Sequence, residues 1–215
     1  MRKRYLFSFT LAVMLSLLLC SAASADVVTA KAVKIDPEHL EKTSCYARIV
    51  GYDQEKDALT VELIAPETFS GEEIASLKAG DSILTGGREV KIGSISADDE
   101  WCGTLFINDG ALFLFQERSG DYTMMSTEDD CVWNTVAVVE CPVMKTLLFL
   151  DGICDDSGEA LQLPKVYTAR ELTAQLLEKG AENAYTVGLT ANNVFVVFDG
   201  EGNLAVIHRF YVPWQ

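Results

Sequence analysis

The chain has few of the residues that commonly carry catalysis. It contains two histidines in 215 residues, His39 and His208, so a zinc site with three histidine ligands is excluded. It has no G-x-S-x-G, H-E-x-x-H or P-loop motif, and no G-x-G-x-x-G opens a helix after a strand. It also lacks C-x-x-C, the spacing of thioredoxin-like redox pairs and zinc knuckles. We therefore expect no cofactor, and a binding role in preference to an enzymatic one.

Positive charge is also scarce. The chain has 17 basic against 32 acidic residues, a net charge of −15. Residues 1–25 hold three basic residues and no acidic one, so removing them would leave −18. Phosphates repel such a chain, so we expect no nucleic-acid partner. The acids are spread along the sequence, which favours a solvated surface, with a cationic partner or calcium as the functional alternative.

Only one long apolar run is present, at the N-terminus. Three basic residues precede the apolar run 5–19, and Ala23-Ser24-Ala25 follows it. This order is typical of a secretory signal peptide cleaved after Ala25. The run is shorter than the roughly 20 residues of a membrane-spanning helix. We expect a secreted or extracytoplasmic protein without a membrane span after cleavage, with a lipid anchor on Cys20 or an uncleaved anchor as alternatives.

Five cysteines follow the predicted cleavage site, and export permits disulfides. Because five is an odd number, at least one thiol stays free or pairs between molecules. Spacing does not choose among the connectivities. Cys45 lies beside apolar residues, which indicates a small buried side chain more than a reactive one. The five are Cys45, Cys102, Cys131, Cys141 and Cys154.

The pattern predicts an α+β protein with a mainly antiparallel sheet built from hairpins and meanders. Apolar residues alternate with polar ones in 58–65, which is typical of a half-buried strand. Gly86-Gly87 and Asp109-Gly110 lie between apolar runs and predict tight turns. Small barrels and open antiparallel sheets share this pattern, so both remain possible at this point.

Two short capped helices are predicted. Ser70 and Glu73 can form reciprocal cap hydrogen bonds at the start of the first. Thr168 and Glu171 repeat the arrangement, and Gly180 ends a helix predicted over 168–179.

Four regions follow from these patterns. Residues 1–25 are the signal peptide, and 26–43 form an extended leader with a short helical turn. Residues 44–163 form a β-rich domain. Residues 164–215 supply a helix and a C-terminal hairpin, which pack on that domain or form a small second lobe.

Alternation in the last strand places Leu204, Val206, His208, Phe210 and Val212 on one face.

The candidate catalytic residues centre on His208. It is the better placed of the two histidines for a nucleophilic mechanism, with Cys154 or Cys131 as nucleophile and Asp199 as the orienting acid. The structural alternative is an inert histidine on an apolar strand face.

Two further sites rest on acidic loops. Trp101 and Trp133 stand near Asp99 and Asp129, and an aromatic ring beside acids can stack on a sugar whose hydroxyls the acids bind. The structural alternative is that both tryptophans anchor loops to the core.

The acidic segment after residue 150 offers oxygen ligands for calcium from Asp151, Asp155 and Glu159, although its spacing does not match an EF-hand loop.

The sequence therefore predicts a non-catalytic extracytoplasmic binding or interaction module, whose partner is an unknown protein, peptide or glycan. A small secreted hydrolase using His208 with a cysteine or carboxylates is the main alternative. A structural envelope component or an inhibitor is the third.

Overall fold

The computed structural model describes residues 26–98, 103–126, 131–153, 160–180 and 188–210. These residues form mostly β-strands, with two short α-helices, in three open sheets. The predicted α+β class with mainly antiparallel strands is confirmed. The described sheets are open, so the barrel alternative finds no support.

The largest sheet has seven strands and is mixed. Its order is β11 (Trp133–Pro142), β3 (Ala58–Pro66), β2 (Ser44–Asp53), β14 (Val194–Phe198), β15 (Leu204–Arg209), β12 (Leu148–Ile153) and β13 (Ala160–Thr168). All neighbours are antiparallel except β12 and β15, which run parallel. The predicted C-terminal hairpin is thus confirmed as β14 and β15, and it lies in the middle of this sheet.

Residues between β3 and β11, together with one strand near the start of the described chain, build the other two sheets. The three-stranded sheet has the order β1 (Val27–Thr29), β5 (Ser82–Thr85) and β6 (Arg88–Lys91). The five-stranded sheet has the order β4 (Thr68–Phe69), β10 (Tyr122–Met125), β9 (Leu112–Gln116), β8 (Thr104–Ile107) and β7 (Ile95–Asp98). Gly86 and Gly87 join β5 to β6 with φ of 54° and 71°, which confirms the predicted two-residue turn.

The helices are α1 (Gly71–Ser76) and α2 (Ala169–Lys179). The reciprocal cap of α2 is confirmed, because Thr168 and Glu171 hydrogen-bond each other's backbone and side chain. The equivalent cap of α1 was predicted wrongly, since the Ser70 side chain makes no cap hydrogen bond. The Gly71 amide instead donates to the Asp121 carboxylate at 3.4 Å, so a distant loop serves the start of this short helix.

After Asp36 the chain forms single hydrogen-bonded turns without a regular helix. The His39 amide donates to the Asp36 carbonyl at 3.1 Å, and the Thr43 amide donates to the Leu40 carbonyl at 2.9 Å.

Apolar side chains form two separate cores. The first lies between α2 and one face of the seven-stranded sheet, and includes Val61, Phe149 and Ile207. The second lies between the two smaller sheets, and includes Phe69 and Ile83. We refer to them as the large core and the small core.

A register shift between Val197 and Phe198 changes the predicted face of Leu204. Phe198 pairs with Leu204 while Val197 pairs with Val206, so one extra residue sits in β15. A single inserted residue moves a side chain to the opposite face. Leu204 therefore lies in the large core, on the other side of the sheet from Val206 and His208.

Candidate functional site

One face of the seven-stranded sheet packs on α2, and the opposite face carries two rows of largely apolar side chains. The first row consists of Tyr46, Phe195, His208, Leu150 and Val166, paired strand by strand from β2 to β13. The second row consists of Ser44, Val197, Val206, Leu148 and Thr168. We call these two rows, together with Phe210, the outer face.

The outer face is partly open to solvent. Val166 is 61% exposed, Leu148 is 42% exposed and Tyr46 is 37% exposed. Phe195 and Val197 are half-buried, whereas the alternate residues of β14 point into the large core. Contiguous exposed apolar surface commonly marks a binding site.

Aromatic rings gather at one end of the outer face. The Tyr46 ring lies 4.9 Å from Trp133, 5.5 Å from Phe195 and 6.0 Å from Phe210, each in an edge-to-face arrangement. Buried Asn193 holds Phe210 in place, because its carbonyl accepts from the Phe210 amide and its side-chain nitrogen donates to the Phe210 carbonyl. These contacts fix the rings in one arrangement.

A polar cluster borders these rings. The Arg48 guanidinium donates to the Asn192 side-chain oxygen at 2.8 and 3.0 Å and to Glu62 at 3.0 Å. Thr135 donates to the other Glu62 oxygen at 2.6 Å. The Thr135 hydrogen bond, and then the hydrogen bond and the positive charge of Arg48, lower the pKa of Glu62. Glu62 is therefore held as an anion paired with a cation, and the polar cluster carries no net charge.

His208 occupies the middle of the outer face. Its strand neighbours are Phe195 and Leu150, and its ring lies 6.1 Å from that of Phe210. Among the described residues His208 makes no hydrogen bond or ion pair. The predicted orienting acid Asp199 lies four residues beyond Phe195, or about 13 Å along the strand. Asp199 instead accepts from the amides of Glu201 and Asn203 within the β14–β15 turn, and these contacts lower its pKa.

Of the two predicted nucleophiles, the structure describes Cys131. Cys154 lies outside the described residues. Cys131 lies beside Met125, with its sulfur 3.7 Å from the Met125 sulfur. Burial raises the pKa of the Cys45 and Cys141 thiols to about 11, and a protonated thiol is a poor nucleophile. The structure brings no described cysteine to the His208 ring.

Of the four predicted sugar-binding residues, the structure describes Trp133. Its ring joins the aromatic cluster of the outer face through Tyr46. Trp101, Asp99 and Asp129 lie outside the described residues.

The structure places Asp151, one of the three predicted calcium ligands, in an ion pair with Arg209. Asp151 belongs to β12 and is buried in the large-core side of the sheet. Its two oxygens accept from Arg209 at 2.9 and 2.5 Å, so an ion pair already occupies the carboxylate. Asp155 and Glu159 lie outside the described residues. The described ranges hold no cluster of three or more His, Cys, Asp or Glu residues arranged to bind a metal.

A surface hollow elsewhere is lined by both acidic and basic side chains. One of about 410 Å³ has Tyr52, Asp57, Lys145 and Arg170 in its walls, and Tyr52 donates to Asp57 at 2.8 Å. Burial first, and then Asp57, raises the pKa of Tyr52. Because cations and an anion line the same open hollow, it selects no single ligand charge.

Sequence reasoning missed Tyr46, Arg48, Phe195 and Phe210. One signal was available, since Val194–Phe198 reads VFVVF and is apolar at every position. Such a run is typical of a strand with apolar contacts on both faces. The partners that join these residues come from distant parts of the chain, which the sequence pattern does not reveal.

Comparison with known proteins adds no relative. No protein-family model matches this chain, and no curated protein or solved structure matches it. Within the described residues, no helix combines the length and the apolar character needed to cross a membrane.

Proposed function

We propose that this chain is a non-catalytic extracytoplasmic binding protein that holds its ligand on the outer face. The observation that carries the proposal is the pairing of exposed apolar residues, such as Val166 and Leu148, with a fixed aromatic cluster in one sheet face. The predicted signal peptide in residues 1–25 supports the extracytoplasmic location.

The hydrolase alternative has weaker support. A general base needs its partner within hydrogen-bond reach, about 3 Å. Asp199 is about 13 Å along the strand from the position opposite His208, and its carboxylate serves a turn.

Charge substitutions on the outer face test the proposal. Tyr46→Asp and Leu148→Asp place a carboxylate at either end of the outer face, while Leu177→Asp is a matched control on α2, where Leu177 is 54% exposed. Each variant is applied to a glycan array and a phage-displayed peptide library, after circular dichroism confirms its fold. We expect ligands that bind the natural chain and Leu177→Asp but lose binding to at least one of the two outer-face variants. Ligands that survive both outer-face variants, or two empty panels, would contradict the proposal.

A further inference from the structure

The shape of the outer face restricts its occupant. Five strands spaced about 4.8 Å apart span roughly 19 Å, and the two rows lie about 7 Å apart along the strands. A face of this shape matches an extended ligand that lies across the strands.

The charge of the outer face restricts the occupant further. The chain has a net charge of −15, yet the charged side chains of the polar cluster, Arg48 and Glu62, neutralise each other at 3.0 Å. The two rows contribute only His208 and Tyr46 as titratable side chains, among aliphatic, aromatic and hydroxyl residues, and neither side chain is an acid that carries charge at neutral pH. A face without net charge on an acidic protein matches an uncharged ligand better than a cationic one.

The chemistry at the aromatic end matches a molecule that is apolar on one surface and rich in hydroxyls at its edges. Tyr46 presents a ring that is 37% exposed, next to Trp133. Arg48 uses three of its five N–H donors in the polar cluster, and its side chain remains 25% exposed. Glu62, 21% exposed, adds carboxylate oxygens within the same cluster.

We propose that the aromatic end of the outer face, together with Trp133 and the polar cluster beside it, binds a neutral oligosaccharide, with Tyr46 and Trp133 against the sugar rings and Arg48 and Glu62 hydrogen-bonding their hydroxyls. The inference rests on the proposed function and names its ligand class. A pyranose ring offers C–H groups to an aromatic face and hydroxyls to planar polar groups, so each half of the site has a counterpart on the ligand.

Isothermal titration with neutral hexasaccharides tests the inference. The probes are cellohexaose, laminarihexaose, chitohexaose and mannohexaose at concentrations up to about 10 mM, which detects even weak binding. We expect at least one to bind, with affinity unchanged between low and high salt because no charge is neutralised. Tyr46→Ala should weaken binding about tenfold, while Tyr46→Phe keeps the ring and most of the affinity. Leu177→Asp on α2 should bind as the natural chain does.

Each other outcome overturns the inference. Failure of all four sugars would do so, and so would binding that Tyr46→Ala and Arg48→Met both leave intact. Peptides that bind the outer face while no sugar does would refute the sugar ligand and keep the proposed function. A dimer in sedimentation analysis that Val206→Asp dissociates would identify a second copy as the occupant. Circular dichroism of each variant separates lost binding from lost folding.

Discussion

At the scale of single residues, the buried ion pair of Asp151 and Arg209 is the contact whose loss should destabilise the fold most. Both side chains are less than a tenth exposed, and the guanidinium lies 5.8 Å from the centre of the Phe149 ring. A buried ion pair that loses one partner leaves an uncompensated charge, which is strongly destabilising.

We therefore expect Asp151→Asn to lower the free energy of unfolding by about 3 kcal/mol. Urea denaturation followed by circular dichroism measures this change. The matched control is Glu140→Gln, which removes the exposed ion pair of Lys56 and Glu140 at 2.9 Å. Exposed pairs contribute little, so the control should unfold close to the midpoint of the natural chain. Equal effects of the two substitutions would contradict the assigned burial of Asp151.

The thiols of Cys45 and Cys141 are predicted to resist alkylation in the folded state. Burial raises both pKa values to about 11, so at pH 8 only about one thiol in a thousand is ionised. Because burial stabilises the protonated thiol, the rate of alkylation should increase as pH rises from 9 towards 11. Since the unfolded chain ionises its thiols at lower pH than the folded chain, the free energy of unfolding should decrease over the same range.

Iodoacetamide labelling with mass spectrometry checks this expectation. A chain in which Cys20, Cys102, Cys131 and Cys154 are replaced by serine reports only the two buried thiols. Labelling should be slow at pH 8 and fast after unfolding in urea. Equal rates in the folded and unfolded chain would show that burial does not protect these cysteines.

At the scale of elements, the two helices carry the same start signature and differ in the result. Thr168 forms its cap on the 11-residue α2, whereas Ser70 forms none on the six-residue α1. The local sequence therefore makes a cap possible, and contacts with other parts of the chain, such as that of Asp121 with the Gly71 amide, determine whether it forms.

Alanine substitution at the two cap positions separates these cases. Thr168→Ala should lower the free energy of unfolding by about 1 kcal/mol, the usual value of an N-cap side chain. Ser70→Ala removes no cap hydrogen bond and should have a smaller effect. Thermal unfolding of both variants measures the difference. A larger loss for Ser70→Ala would contradict the assigned caps.

The turns and the hairpins were accessible to the same local reasoning. Gly86-Gly87 predicted its turn because two positive φ angles are needed there. The five residues between β14 and β15 predicted a hairpin, but not the shift that moves Leu204 into the large core. That shift depends on which neighbours the strands find across the sheet.

At the scale of the whole molecule, the large and small cores are linked through Glu67, which is 4% exposed. Its carboxylate accepts from the Thr85 hydroxyl at 2.6 Å and the Gly86 amide at 3.0 Å, both at the β5–β6 hairpin. It also accepts from the Asn134 side chain of β11 at 3.0 Å. One carboxylate thus connects the three-stranded sheet to the seven-stranded sheet.

We expect Glu67→Gln to weaken this connection. The glutamine NH₂ group is a donor, and it would face the Thr85, Gly86 and Asn134 donors that the carboxylate now accepts. Leaving such buried donors unsatisfied lowers the free energy of unfolding by about 2 kcal/mol. Hydrogen exchange should accelerate at small-core amides such as Ile83 and Leu114, while amides such as Val61 and Ile207 in the large core keep their protection. Thr85→Val, which removes one donor only, should have a smaller effect. Uniform acceleration across both cores would show that they unfold as one unit.

The candidate site also belongs to this scale. Tyr46 and Phe195 are 149 residues apart, and Tyr46 and Trp133 are 87 apart, yet they contact each other in the structure. The sequence pointed to Trp133 and His208 but paired them with acids in neighbouring loops. It could not identify the face, because residues at such separations meet only through the strand order.

By itself the sequence determined the mainly β α+β class, the capped helix α2, the tight turns and the final hairpin. These depend on residues a few positions apart, whose backbone hydrogen bonds and φ angles are set locally. The tertiary structure alone decided the parallel contact of β12 with β15, the burial of Asp151 with Arg209, and the face on which His208 lies. Those features require strands from distant parts of the chain to pair, and only the shared burial of their side chains selects that pairing.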